Sequence, residues 1–201
     1  MDAIATLGRT LGFSFAAGIN LYATVAILGL AARFDWVQLP PQFEVFDHDL
    51  VIAAALALYV VEFLADKIPW VDSLWDTVHT LIRPLGGAII AVGILGEATP
   101  AMQGLTALLG GAVAATTHLT KAGTRALANT SPEPFSNWLL SLAEDVFVVG
   151  LGFVALEWPL VALGVAAALL VLILLSAAVI VRALKRRWRA WRRPVAPTPA
   201  S

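Results

Sequence analysis

Residues 160–193 read LVALGVAAALLVLILLSAAVIVRALKRRWRAWRR. The first 22 of them carry no charge, and about 20 apolar residues in helical form cross a hydrocarbon core of about 30 Å. Directly after them come Arg182, Lys185, Arg186, Arg187, Arg189, Arg192 and Arg193. An apolar stretch that stops in a block of cations is a membrane span held on its cytoplasmic side, where Lys and Arg accumulate. Trp188 and Trp191 interleave with those cations. On a soluble protein this mixture would suggest nucleic-acid binding; next to a span it reads as an anchor for anionic lipid, with no role for nucleic acid.

Working outward, composition supports the same class. Hydrophobic residues make up 59% of the 201 and charged residues 13%, against roughly 25% charged in soluble domains. Five further apolar stretches precede the last. They run from about Leu11 to Ala32, Leu50 to Leu64, Leu85 to Leu95, Leu105 to Leu127 and Trp138 to Leu156. With the N-terminus inside, six crossings place 12 of the 13 Lys and Arg on the cytoplasmic side and leave only Arg33 outside. The outer loop from Phe34 to Asp49 is acidic. The expected fold is therefore all-α, an integral membrane protein of six transmembrane helices with both termini cytoplasmic. Residues 1–184 form one membrane domain and 185–201 a basic, then Pro-rich, cytoplasmic tail. The start of the chain, with Asp2 and one early cation, makes a poor secretory signal. Six crossings divide into two halves of three, which suggests a 3+3 inverted repeat, with Ala16–Leu21 laid over Ala114–Leu119. The sequence has no cysteine, which excludes disulfides and thiol chemistry.

Polar residues inside apolar stretches mark where function is expected, because charge at membrane depth is costly and turns toward an interior or a cavity. Asn20 lies in the first stretch, Glu62 and Asp66 end the second, and Lys67 follows. His118, Lys121 and Arg125 lie in the fourth; Glu144 and Asp145 lie in the fifth. Read together, these residues form a polar pathway or substrate site, with one mixed-charge cluster in which Asp66 or Asp72 approaches Lys121 or Arg125 near Glu144. Between the second and third stretches, Asp72, Asp76, His79 and Arg83 recur at i, i+4, i+7 and i+11, one helical face. That face reads as a short amphipathic cytoplasmic helix around Asp72 to Leu81. Alternatively, Asp72, Asp76 and His79 hold a divalent cation, and Arg83 clamps a phosphate or joins an ion pair.

The run Glu62-Phe63-Leu64-Ala65-Asp66-Lys67-Ile68-Pro69, followed by Val71-Asp72, Asp76 and Ile82-Arg83-Pro84, resembles the bacterial domain-of-unknown-function family four-one-two-six. Leu30 to Phe34, His118-Leu119-Thr120-Lys121-Ala122 and Ser141-Leu142-Ala143-Glu144-Asp145 add to the likeness, which covers roughly residues 10 to 180. The resemblance implies a multi-pass protein of the bacterial inner membrane and supplies no activity. From the residues, the expected function is a small transporter or channel-like protein for an ion or polar solute, more readily than an enzyme, with coupling to protons through the carboxylates or His118. A metal-assisted enzyme acting on a lipid phosphate and a purely structural protein are the alternatives. A homo-oligomer is compatible with each.

Overall fold

The computed structural model describes residues 3–39, 41–129 and 135–191. Among them are seven α-helices and no strand: α1 (Ala3–Ile19), α2 (Leu21–Arg33), α3 (Asp49–Ala65), α4 (Pro69–Leu95), α5 (Pro100–Ala128), α6 (Phe135–Glu157) and α7 (Pro159–Trp191). A 3-10 turn over Pro41–Asp47 precedes α3.

The polarity of the bundle is reversed relative to a protein in water. Leu105, Leu108, Leu119 and Leu127 of α5 and Leu172, Leu175, Val179 and Ile180 of α7 lie on the surface. Glu62, Asp72, Arg83 and His118 are fully buried, each at 0% exposure. Apolar outside and ionic inside is the arrangement a bilayer selects, since lipid solvates the leucines and a helical interior satisfies the charges. Three helices, α4, α6 and α7, are long and apolar enough to cross a membrane.

The structure corrects the sequence reading of the first apolar stretch. It is not one helix but two short ones, broken at Asn20, whose backbone is extended (φ −144°, ψ 101°). The Asn20 side-chain oxygen accepts a hydrogen bond from Ala23 N at 2.9 Å and so caps α2. Both outer ends of this hairpin lie at one end of the bundle. Gly8 packs against the Pro159 carbonyl at the head of α7, and Arg9 donates to Leu156 O at the end of α6. At the other limb, Arg33 pairs with Asp47 and Asp49 at the head of α3, and Gly29 packs on Phe46. The α4–α5 turn lies at this end as well, where Thr6, Leu7 and Thr10 share a cavity of about 500 Å³ with Leu95, Gly96 and Glu97. The stretch therefore enters the bundle and turns back, and the described ends of the chain, α1 and α7, point to opposite ends of it. A single crossing by Leu11 to Ala32 with both termini on one side does not fit this geometry.

Close approach makes the hairpin possible. A Cβ on Gly18 would lie 2.5 Å from Ala114 O and 2.7 Å from Thr117 Cβ, so only glycine lets α1 lie this close to α5. Gly110 meets Ser14 in the same interface, and Lys121 meets Ile19. Residue numbers on α1 and α5 thus rise together, and the two helices run parallel. The 3+3 inverted repeat requires the first and fourth stretches to be antiparallel, so the overlay of Ala16–Leu21 on Ala114–Leu119 is not such a relation.

A second correction concerns α4. The expected amphipathic helix and the short third stretch are one continuous helix of 27 residues, with Pro84 inside it. Its polar face does not lie on a membrane surface: Asp72, Asp76, His79 and Arg83 are all buried in the bundle. The sixth stretch also continues past its expected end, since α7 runs helical through the first tail cations to Trp191. Arg192, Arg193 and the Pro-rich remainder of the tail lie outside the described residues.

Candidate functional site

The broken hairpin ends in the middle of an ionic network. By helical rise, Arg83 lies about 21 Å from the start of α4 at Pro69 and about 18 Å from its end, near mid-length. Its Nη2 donates to Glu62 Oε1 at 2.7 Å. Its Nη1 meets Asp76 Oδ1 at 3.3 Å, Gly18 O at 3.3 Å and His118 Nδ1 at 2.7 Å. From α5, Lys121 Nζ reaches Ile19 O at 3.0 Å, Glu62 Oε1 and Asp66 Oδ2 at 3.4 Å each, and Glu144 Oε2 at 3.6 Å. Arg125, one turn on, binds Asp66 Oδ2 at 2.8 Å, Glu144 Oε2 at 3.2 Å and Asp72 Oδ1 at 3.7 Å. The cations thus sit where the chain needs them. The break at Asn20 frees carbonyls at the end of α1, and a helix C-terminus favours positive charge; Arg83 and Lys121 supply it at Gly18 and Ile19.

Asn20 does two jobs at the break. Beyond capping α2, its Nδ2 donates to Asp145 Oδ1 at 3.3 Å. Removing the cap costs about 0.5–2 kcal/mol, and leaving a buried carboxylate without its donor costs about 1–3 kcal/mol. Asn20→Ala is therefore expected to lower the melting temperature of the purified protein clearly. Asn20→Asp keeps the cap but sets a second carboxylate against Asp145, so it should melt lower than Asn20→Ala. Equal melting of the two variants would show that the Asp145 contact does not matter.

The contacts of the two buried histidines assign their ring nitrogens. His118 Nδ1 faces the Arg83 guanidinium, which can only donate, so that nitrogen accepts and Nε2 carries the hydrogen. It donates to Asp76 O at 3.1 Å and Thr80 Oγ1 at 3.2 Å. His79 donates from Nδ1 to Trp75 O at 2.7 Å, and its Nε2 hydrogen-bonds the Tyr22 hydroxyl at 2.9 Å. It stacks on Trp75 with the ring centroids 4.6 Å apart. A proton on His118 would face Arg83 directly, so this geometry gives no support to coupling through that residue.

The same contacts bear on the metal reading. Asp72 is taken by Asn129 at 2.8 Å and by Arg125, Asp76 by Arg83, and His79 by Tyr22 and Trp75. Among the described residues no three His, Asp or Glu side chains gather as metal ligands. Arg83 has both terminal nitrogens committed inside the protein, so the structure realises the ion pair rather than a phosphate clamp. One helical face in sequence became four different environments because neighbouring helices divide it.

Several members of the network were not singled out from the sequence. Asn137 accepts from Arg125 Nη1 at 2.7 Å and donates to Asp66 O at 3.0 Å. Ser141 accepts from Lys67 at 3.2 Å, and Asn129 and Tyr22 serve as above. Asn137 and Ser141 stand four apart on α6, ahead of Asp145 by a further four, a polar i, i+4, i+8 stripe that was legible in principle.

Charge does not balance here. Glu62, Asp66, Asp72, Asp76, Glu144 and Asp145 give six carboxylates, against Arg83, Lys121, Arg125 and the half-buried Lys67, four cations. The difference, six less four, is an excess of two negative charges if all ionise. Glu62 Oε2, Asp66 Oδ1 and Asp145 Oδ2 are buried and accept no hydrogen bond. The ion pairs of Glu62 and Asp66 run through their other oxygens.

The sequence pattern of the family described as a domain of unknown function (DUF4126) matches residues 7–178. No curated protein and no solved structure matches the chain. The chain belongs to this family.

Proposed function

We propose that this member of the family is a small secondary transporter of the bacterial cytoplasmic membrane, moving an ion or small polar solute. The observation that carries this reading is the helix break at Asn20 in the centre of a buried ionic network. Interrupted helices at membrane depth are tolerated where the freed backbone is buried in protein or lines a cavity. In secondary transporters such half-helix ends build the solute and ion sites near the midplane. Here the end of α1 meets Arg83 and Lys121, and the start of α2 lies beside Asp145. A purely structural protein would have little use for an unbalanced charge set of this size, which is costly to bury. The proposed path runs by Asn20, Glu62, Asp66, Lys67, Lys121, Arg125, Glu144 and Asp145, and the carboxylates are the proton-coupling groups.

In this reading the hairpin α1–α2 is re-entrant and α3 to α7 cross the membrane five times. Arg9 and Arg33 then lie outside, Arg83 lies near mid-depth, and the other 10 of the 13 Lys and Arg lie in the inner half or the cytoplasm. The N-terminus is outside, the C-terminus inside, and the basic end of α7 contacts anionic lipid.

Reconstituted wild-type protein is expected to drive flux of an ion or small solute into liposomes across a screened panel. Asp145→Asn and Glu144→Gln should each reduce that flux to near the level of empty liposomes. Wild-type protein that moves nothing across a broad panel, or flux unaltered in both variants, would sink the proposal.

A further inference from the structure

Two members of the network lack an ionic partner, and they lie one helical turn apart. Glu62, Asp66, Asp72, Asp76 and Glu144 each have an Arg or Lys at 3.7 Å or closer. Asp145 forms no ion pair among the described residues. Its Oδ1 accepts from Asn20 at 3.3 Å, and its Oδ2 is buried without a donor, on a residue 6% exposed. On the cationic side Arg83, Lys121 and Arg125 are all paired with carboxylates, and Lys67 is not. Its ammonium donates to Phe63 O at 3.0 Å and to Ser141 Oγ at 3.2 Å, and lies over the Phe63 ring. Ser141 and Asp145 stand four apart on α6, neighbours on one face of the helix.

A carboxylate buried with no cation is costly, and the neutral acid is far less so. The Asn20 amide gives Asp145 one hydrogen bond and no charge. The other ionisable groups that face Asp145 do not supply one either. Tyr59, Glu62 and Asp66 come from α3, and Glu144 adjoins it on α6; the three carboxylates repel a fourth. Lys121 of α5 is engaged by Ile19 O, Glu62, Asp66 and Glu144. Arg9 of α1 and Tyr22 of α2 bond elsewhere, to Leu156 O and His79, and α7 has no ionisable residue before Arg182. Only Lys67 stands near with its charge uncommitted to a carboxylate, and here it rests on Ser141. This arrangement suits an Asp145 that carries its own proton.

We infer that Asp145 Oδ2 is a proton-binding site and that the Lys67 ammonium is the alternate partner of the same oxygen. When the O–H bond breaks, the proton passes to water and the carboxylate keeps the electron pair. Lys67 then leaves Ser141 and the Phe63 carbonyl and pairs with Oδ2, retaining its own three hydrogens. Proton and ammonium carry the same charge, so Asp145 is never buried as a bare carboxylate. Oδ1 stays with Asn20 in both states, which ties the exchange to the helix break. This rests on the transporter reading and names the proton as its coupling ion, with Asp145 among the carboxylates as the carrier.

The test uses the full chain in detergent and follows the infrared C=O stretch of protonated carboxyl groups as pH is raised. At neutral pH wild type is expected to show such a band, and Asp145→Asn should lose it. Asp145→Glu keeps the carboxyl and should shift the band instead, so it carries the assignment if Asp145→Asn does not fold. In Lys67→Gln the exchanging cation is gone. The pH at which half of the Asp145 band disappears should then rise by about 1–3 units, the effect of one opposite charge close to a carboxylate. A wild-type spectrum at neutral pH with no band that Asp145→Asn removes or Asp145→Glu shifts overturns the site. So does a band with the same pH dependence in Lys67→Gln as in wild type. Solute flux without the Asp145 band would leave the transporter reading standing and remove this site; the band and its dependence on Lys67 without flux would do the reverse.

Discussion

Arg83→Met is expected to destabilise the protein by about 3–5 kcal/mol, the cost of removing one partner from a buried ion pair. The guanidinium is fully buried and bonds to Glu62 at 2.7 Å, to His118 at 2.7 Å and to the freed Gly18 carbonyl. Without it, Glu62 keeps only the longer contact to Lys121, and Asp76 loses its cation. Arg83→Lys keeps a charge but not the fork that reaches four partners, so it should recover only part of the loss. Combining Arg83→Met with Glu62→Leu removes both charges of the closest pair. The double variant should be more stable than the sum of the single losses indicates, with a coupling energy of about 0.5–3 kcal/mol. Equilibrium unfolding in mixed micelles measures the four variants, Glu62→Leu alone included, against wild type. A single Arg83→Met variant within about 0.5 kcal/mol of wild type, the range of an ordinary surface change, would show that these charges are solvated rather than paired.

The size of that effect reflects how much of the architecture was legible in the sequence. Glu62, Lys121, Arg125 and Glu144 stand out as charges in or beside stretches otherwise fit for lipid, and burial against one another is the way such groups are accommodated. The all-helical class follows from the same stretches. The break at Asn20 was not legible. It interrupts a continuous apolar run with one asparagine, whose intrinsic helix cost is well under about 1 kcal/mol. What stabilises the break lies far away in sequence: Arg83 and Lys121 take the released carbonyls and Asp145 takes the amide. Pro84 stands between the expected short helix, Asp72 to Leu81, and the third stretch, which begins at Leu85. A proline usually closes a helix, but α4 continues through it, with Gly111 of α5 packed on its carbonyl. The charge rule could not separate the two threadings of the first stretch. Changing the first stretch from a crossing to a re-entrant hairpin moves a single cation, Arg9, from the inside to the outside.

Single-cysteine labelling should decide between those threadings with an all-or-none result. The chain contains no cysteine, so the wild type is silent and each introduced thiol reports alone. Ile4 near the start of α1 and Glu97 in the α4–α5 turn are exposed at one end of the bundle. Ser73, in the first turns of α4, and Lys185, late in α7, are exposed toward the other. The lengths make a return at Asn20 physically reasonable. α2, with 13 residues, is about 20 Å long and falls well short of a core of about 30 Å, and the break at Asn20 lies at the depth of Arg83, near the middle of α4. A membrane-impermeant maleimide added outside intact cells is expected to modify Ile4→Cys and Glu97→Cys and to spare Ser73→Cys and Lys185→Cys. In inverted vesicles the pattern should reverse. If Ile4→Cys instead labels from the same side as Ser73→Cys, the first stretch crosses the membrane. The two halves of the hairpin would then have to separate, Gly8 would leave Pro159, and the ionic network could not close around Asn20 as it does here.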